Sequence, residues 1–519
     1  MRRPVSKFVG KTPDGPLFDN AGVAAAIVGA AFVLSVSLYW SGFGPGDPER
    51  YFRAAIAWTE QGFYLGDTHW SLRHPFVLPM AASFLIFGVS EFSATIPNIA
   101  YAGALAALTF RFARRYLGPA EGVLASIFIA TSAFFVARPL ELEVYGAEAF
   151  FAALACWLFV AAGSEDRRLS YLAAAGAAAG LSWAIREQTF YLMLVFGLLT
   201  LASRRDVVRS CLALGVGFGA IIAVELLFYL IAAGDPFYRY KVDLSHRTIS
   251  VEVLIQGEDA SLINTAIRPI RDLLTYPVTT PFLALAALAI WGLRRPAFLS
   301  TPTQRRSFIV FGVMSAIAIP ICAYAFNLSF PRYYPILTYT AFLALGLAAA
   351  EIWRRHGRAA GVGFALLITL ANAAAADFSR YYEYAEARYL ADFAQSAETP
   401  IETDPLTASR VRHQLILRGI PVAEASRRVI ATKAPPVGAL FFKSHMTPRR
   451  KENWCAIVVA DVRPTNWTHA LIRVTGLNRI AGAKVREVTA KPRPVEIIRV
   501  LDRPALTDPA TGQPCLPAT

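Results

Sequence analysis

The sequence predicts a mostly α, polytopic membrane protein of about eleven spans, followed by a small extramembrane α/β domain. Three observations carry that expectation. Hydrophobic residues make up 55% of the 519 residues and charged residues only 17%, whereas ordinary soluble proteins carry about 25% charged residues. Apolar runs such as "AGVAAAIVGAAFVLSVSLYW" (21–40) reach the roughly 20 residues a bilayer crossing needs. The arginines, finally, gather in short clusters between those runs. The net charge of +14 therefore points to membrane orientation rather than to nucleic acid.

The chain opens on the basic stretch "MRRPVSKFVGK", and no small-residue cleavage site closes the first apolar run. An uncleaved first span is expected. Apolar segments then recur near 21–42, 75–89, 92–112, 120–137, 146–162, 170–185, 188–202, 210–233, 277–293, 307–327, 331–350 and 359–376. The weak member is 75–89, which is short and carries Pro75 and Pro79, residues expected to interrupt an ordinary spanning helix. If it does not cross, the basic clusters "RFARRYLG", "EDRR", "SRRDVVR", "RRPAFLSTPTQRR" and "RRHGR" all fall on the side of the amino terminus. Arginine-rich loops belong inside, so 75–89 is read as a re-entrant or interface-lying helix.

This parity puts the amino terminus in the cytoplasm and the carboxyl end outside. Residues 1–376 are expected to form the membrane domain, with long exterior loops at 43–91 and 234–276, and residues 377–519 an exterior α/β domain. Within the latter, "IVVADVRP" and "VEIIRVLD" read as strands. "DPLTASRVRHQLILRG" reads as a helix opened by Asp404 and stopped by Gly419. Five cysteines show no metal spacing. Cys156, Cys211 and Cys322 lie in apolar runs, and the sequence leaves open whether Cys455 and Cys515 pair.

The same parity gathers ionisable residues on the exterior face: Asp47, Glu49, Glu141, Glu143, Arg186, Glu187, His246, Arg247 and Arg332. Charge at membrane depth is costly and marks function. In "DPERYFRAAIAWTEQG" an acid, a proline and a terminal glycine bracket a helix. Its Tyr51, Phe52, Ala55, Ile56 and Trp58 share one broad side, as in a helix resting on the membrane interface. Asp47 reads either as a plain cap or as a carboxylate able to take a proton from an acceptor hydroxyl.

An early exterior "D-x-x-x-Y…A…G" loop (Asp47, Tyr51, Ala55, Gly62), a short proline-bearing segment ending "FG", a span ending in arginines and then "RPLELE" follow in order. Over roughly residues 20–350 this resembles the membrane-embedded GT-C glycosyltransferases of family 39. These include the protein O-mannosyltransferases and the bacterial lipid A aminoarabinose transferase. The resemblance implies inverting transfer of a sugar from a polyprenyl-phosphate carrier to a lipid, glycan or protein acceptor at the exterior face. It puts the catalytic acids at Asp47, with Glu49 beside it, and in "LELE", where Glu143 is preferred to Glu141. It puts arginines near the carrier phosphate at Arg186 and Arg332. The aminoarabinose transferase carries a Lys-Pro-Pro element where this chain reads "RHP", so Arg73 and His74 are assigned comparable work.

Each candidate has a blander reading. Arg332, with Tyr333 and Tyr334, suits an interface anchor, and Arg186 and Glu187 suit a pair within one tight turn. The segment "YRYKVDLSHR", with Lys241 and His246, reads either as attraction to anionic membrane lipids or as carrier-phosphate contact. A divalent metal at His69, His74 and Asp67 is a remote option, because the spacing matches no standard site. Glu225 sits in an apolar run with no assigned role. A transporter or flippase of lipid-linked sugars is the rival class, but such proteins show matched halves and no repeat is visible here. A scaffold whose tail binds other envelope proteins is the third. The bacterial inner membrane is the expected location.

Overall fold

The computed structural model describes residues 16–40, 42, 47–164, 166–245, 262–292, 299, 301–326, 328, 330–379, 383–444, 451–462, 466–477 and 494–516. The chain divides into two compact units. One comprises Met1–Trp40, Ala57–Ala81 and Thr95–Ala376, the other Ser41–Ile56, Ala82–Ala94 and Asp377–Thr519.

The first unit is helical. Among the described residues five helices are long and apolar enough to cross a bilayer: Ala21–Tyr39, Val207–Ala233, Pro302–Ala325, Pro335–His356 and Arg358–Phe378. The number rises to seven if each of two bent pairs is one span. The chain is an integral membrane protein. The bend of 51° in the pair Pro119–Ala130 and Ala133–Leu140 has a local cause. The Ser132 hydroxyl accepts from the amides of Phe134 and Phe135 at 3.1 and 3.2 Å, so it caps a fresh turn where an unbroken apolar helix was expected.

The segment with two prolines, expected as a short re-entrant or interface-lying helix, is helical. His74–Phe87 is one continuous helix with Pro79 inside it. Pro75 stands in the first turn, where a missing amide costs nothing. Pro79 cannot donate to the Pro75 carbonyl, and the Tyr101 hydroxyl donates to that oxygen instead, at 2.6 Å. The lost bond is replaced, so the helix runs on.

Helices Arg168–Ile185 and Val207–Ala233 pack backbone to backbone. A Cβ on Gly176 would stand 2.1 Å from the Leu214 carbonyl oxygen, and one on Gly217 would stand 1.8 Å from that of Ala173. Small residues allow this approach, which is how helices gain contact where lipid supplies no hydrophobic drive.

Among its described residues the second unit holds a five-stranded mixed sheet of order β2-β1-β3-β5-β4. The strands are β1 (Ile401–Thr403), β2 (Val429–Ala431), β3 (Leu440–Lys443), β4 (Trp454–Ala460) and β5 (Val495–Val500). β1 is parallel to β2 and β3, and β5 is antiparallel to β3 and β4. β5 alternates its side chains between two cores. Val495 and Ile497 join Leu390, Val411 and Leu415, while Ile498 and Val500 join Phe441 and Trp454. A strand covered on both faces reads as a nearly continuous apolar run. Helix Pro405–Leu417 is capped by Asp404, whose carboxylate accepts from the amides of Leu406 and Thr407. It ends before Gly419, at φ +82°, a conformation glycine adopts without penalty. Cys455 and Cys515 are joined by a disulfide.

Candidate functional site

Within the helical unit, two loops and several helix ends bring charge together. Arg186 ends helix Arg168–Ile185 and is 3% exposed. Its guanidinium lies 3.1 Å from the Glu148 carboxylate and donates to the Arg332 carbonyl at 3.2 Å. It also stacks over the rings of Tyr145 and Tyr333, at 4.9 and 5.0 Å from their centroids. A planar cation between two aromatic faces is fixed in direction as well as charge.

Arg332 follows in the turn Pro331–Tyr333. Its guanidinium donates to the Tyr333 hydroxyl at 3.1 Å and covers the Phe330 and Tyr333 rings. Tyr145, Tyr333, Glu143 and Tyr276 are its electrostatic neighbours. Among the described residues no carboxylate reaches salt-bridge distance of Arg332, and its Nε is buried without a hydrogen-bond partner. Glu143 is itself buried. Glu143, Tyr145, Arg186, Arg332 and Tyr333 therefore form one neighbourhood.

Beside it lies a second group. Arg239 is only 1% exposed and is hydrogen-bonded to the carboxylates of both Glu187 and Glu225. Asp243 lies 3.6 Å from its Nε, and the Trp183 ring is covered at 5.1 Å. Burial works to discharge this guanidinium, and the three carboxylates outweigh it, holding it protonated. The Asp243 carboxyl is pushed up to about 7, first by burial and then by the charge of Glu187. Arg73 links the groups, standing within electrostatic range of Glu148, Glu187 and Asp243.

One sequence expectation is corrected here, and the other candidates take the following places. Arg186 and Glu187 do not pair with each other: the helix end and the following turn Glu187–Phe190 aim them at Glu148 and Arg239 respectively. Glu225, which had no assigned role, is an Arg239 ligand. Lys241 does not join the cluster, because its side chain is exposed and paired with Asp235 at 2.5 Å. Glu141 is held by Arg138 at 2.8 Å. His74 stacks on Tyr229 and meets Phe228 edge-on. His69 lies on Trp70, and Asp67 accepts from the Tyr64 hydroxyl. Among the described residues no three His, Cys, Asp or Glu are placed to hold a metal ion. His246 lies outside the described residues.

The early acids belong to the second unit. Asp47 opens helix Asp47–Gln61. Glu49 is buried and accepts from the Ser409 hydroxyl at 2.6 Å, while Arg53 donates to His413 Nε2 at 2.9 Å. Tyr51, Phe52 and Ala55 are fully buried, and Phe52 packs edge-on to Phe84 and His413. Tyr51, Phe52 and Ala55 on this helix thus belong to a protein core rather than to a face resting on lipid, while Ile56 and Trp58 are half-buried. What sequence reasoning missed was Arg239 with Asp243 and Glu148. The signal available was the carboxylate of Glu225 in an apolar run, which demands a buried cation somewhere.

Residues 73–229 match the family model of dolichyl-phosphate-mannose-protein mannosyltransferases. That agrees, over this segment, with the resemblance read from the sequence, and the matched segment contains Arg73, Glu143, Glu148, Arg186, Glu187 and Glu225. Comparison with curated proteins finds no match. Among solved structures, the oligosaccharyltransferase AglB of Archaeoglobus fulgidus, in complex with an inhibitory peptide and a dolichol-phosphate, is 15% identical with a TM-score of 0.46. That likeness covers 79% of this chain and 64% of that one, so the chain spans somewhat under two thirds of its length. ArnT of Cupriavidus metallidurans in the apo state is 12% identical with a TM-score of 0.48, covering 93% of this chain and 98% of that one.

Proposed function

We propose that the chain transfers a sugar from a polyprenyl-phosphate carrier to a lipid, glycan or protein acceptor. The observation that carries this reading is Arg332, a largely buried guanidinium with no carboxylate partner among the described residues, next to Glu143 and Arg186. The family match over residues 73–229 supplies the reaction class. Displacement at an anomeric carbon leaves a phosphate carrying negative charge, and arginine stabilises it through paired, charge-assisted hydrogen bonds. Arg332 receives the leaving phosphate. Arg186, already neutralised by Glu148, orients Tyr145 and Tyr333 around it.

In the inverting form of this reaction, the acceptor oxygen bonds to the anomeric carbon as the carbon–oxygen bond to phosphate breaks on the opposite side. The acceptor's proton passes to a carboxylate. Asp47 is the proposed base, by its place in the family resemblance, with Glu143 the second acid. A positioned base contributes about 10²–10⁴-fold in rate. We place the amino terminus in the cytoplasm and residues 377–519 outside, about eleven spans in all, from the side on which the arginine clusters fall.

The test is a transfer assay on the purified chain with polyprenyl-phosphate sugars, reading release of polyprenyl phosphate. Wild type releases it, and Arg332→Ala and Asp47→Asn lose release while eluting as folded protein. Absence of release from any carrier, or full activity in Arg332→Ala, would sink the proposal.

A further inference from the structure

The helices that carry the charged neighbourhood at one end meet a different arrangement at the other. Arg168 begins the helix Arg168–Ile185, whose far end is followed by Arg186. Eighteen residues at 1.5 Å each place these two arginines about 27 Å apart along the axis. At the Arg168 end lies a cavity of about 560 Å³. Arg168, Arg205, Arg305 and Arg306 line it together with an apolar wall that includes Leu172 and Ile309.

Among the described residues the charge there is unbalanced. The only carboxylate within salt-bridge distance of these four arginines, among the described residues, is Asp206, 3.6 Å from Arg168. Arg306 gives one nitrogen to the Phe159 carbonyl at 3.2 Å, at the end of helix Tyr145–Ala161, a favourable place for a cation. Its Nε remains buried with no acceptor among the described residues. Arg306 is seated on Gly163, where a Cβ would meet its guanidinium at 1.5 Å. Arg168 and Arg205 stand within electrostatic range of it. Orientation by the positive-inside rule accounts for arginines at this end. It does not account for their convergence on one cavity with an apolar wall.

We propose that this cavity binds a phosphate-bearing amphiphile, an anionic lipid whose headgroup sits among the arginines and whose acyl chain lies on the apolar wall. Guanidinium forks match phosphate oxygens, and a bound phosphate offsets the mutual repulsion of the four cations. The same phosphate chemistry is available from free phosphate, which lacks the chain. This site is separate from sugar transfer and does not depend on that assignment.

The experiment uses the purified full chain in a neutral detergent and reads bound lipid by native mass spectrometry, alongside the melting temperature. Phosphatidylglycerol is expected to bind and to raise the melting temperature, with zwitterionic phosphatidylcholine and inorganic phosphate having little effect. Arg168→Gln/Arg306→Gln should weaken phosphatidylglycerol binding by about tenfold or more. Because that variant alters packed residues, Arg205→Gln/Arg305→Gln, at two exposed positions, is measured too and should weaken binding in the same direction. Equal binding of phosphatidylcholine overturns the proposal. So does stabilisation by inorganic phosphate that matches the lipid, or unchanged affinity in both double variants.

Discussion

Arg186 and Glu148 form an ion pair at 3.1 Å in which the two side chains are 4% and 0% exposed. They come from different elements, and Arg186 lies over the rings of Tyr145 and Tyr333, the second of which Arg332 also covers. A pair this deeply buried owes its stability to both partners being present, because removing one leaves the other charged and desolvated.

Arg186→Gln should therefore destabilise the helical unit by about 3–5 kcal/mol. Arg186→Gln/Glu148→Gln should recover part of that loss, since two amides cost less to bury than one lone carboxylate. Thermal unfolding of the two variants in detergent distinguishes them. A double variant no more stable than the single would show that the pair itself is not what is lost.

The Asp243 carboxyl, raised to about 7, makes stability fall as pH rises. The folded state holds a proton there that the unfolded chain releases near its ordinary value of 3.8. Its contribution is whole below about 4 and declines until about 7. Asp243→Asn should flatten that part of the profile. Melting temperatures recorded from pH 4 to 8 give the comparison, and identical slopes for the two proteins would count against the shift.

His413 behaves with the opposite sign. Arg53 can only donate to its Nε2, so the ring proton sits on Nδ1, facing the Ser409 carbonyl at 2.8 Å. Burial first, then the Arg53 charge, lowers its pKa to about 4. Stability is full above about 6.5 and drops as pH falls through about 4, by about 3 kcal/mol in all. Glu49, raised chiefly by burial, opposes this by favouring the folded state as pH falls. His413→Gln, which cannot titrate, should resist acid better than wild type between pH 6.5 and 4. Far-UV circular dichroism on acidification reads the difference.

Reduction of the Cys455–Cys515 disulfide, which closes a loop across a sequence separation of 60, should lower the stability of the sheet unit. The chain-entropy model puts the loss at about 4 kcal/mol. Proteolysis in the β4–β5 region with and without reductant measures it, and equal cleavage rates would contradict the expectation.

What was legible in the sequence had local chemical markers. Asp404 and Gly419 bracket a helix because a carboxylate caps free amides and glycine accepts a left-handed turn. β5 was legible because its apolar run serves two cores at once. The pairing of Glu187 with Arg239 had no such marker: 52 residues separate them, and the segment around Arg239 has the basic, amphipathic look of a surface. The burial of Tyr51 and Phe52 was hidden for a related reason. A stripe of aromatic residues looks the same whether it faces lipid or a helix such as Pro405–Leu417, which supplies His413.

The backbone contact at Gly176 and Gly217 makes the charge cluster hostage to two positions that carry no charge. Glu225 lies just over two turns beyond Gly217 on the same rigid rod, and Trp183 lies about two turns beyond Gly176 on the other. A single added methyl group would act as a spacer between the rods and carry the acid away from the arginine it neutralises. Variants in this protein with an electrostatic defect can thus arise from a change of one carbon, several residues from the nearest ion.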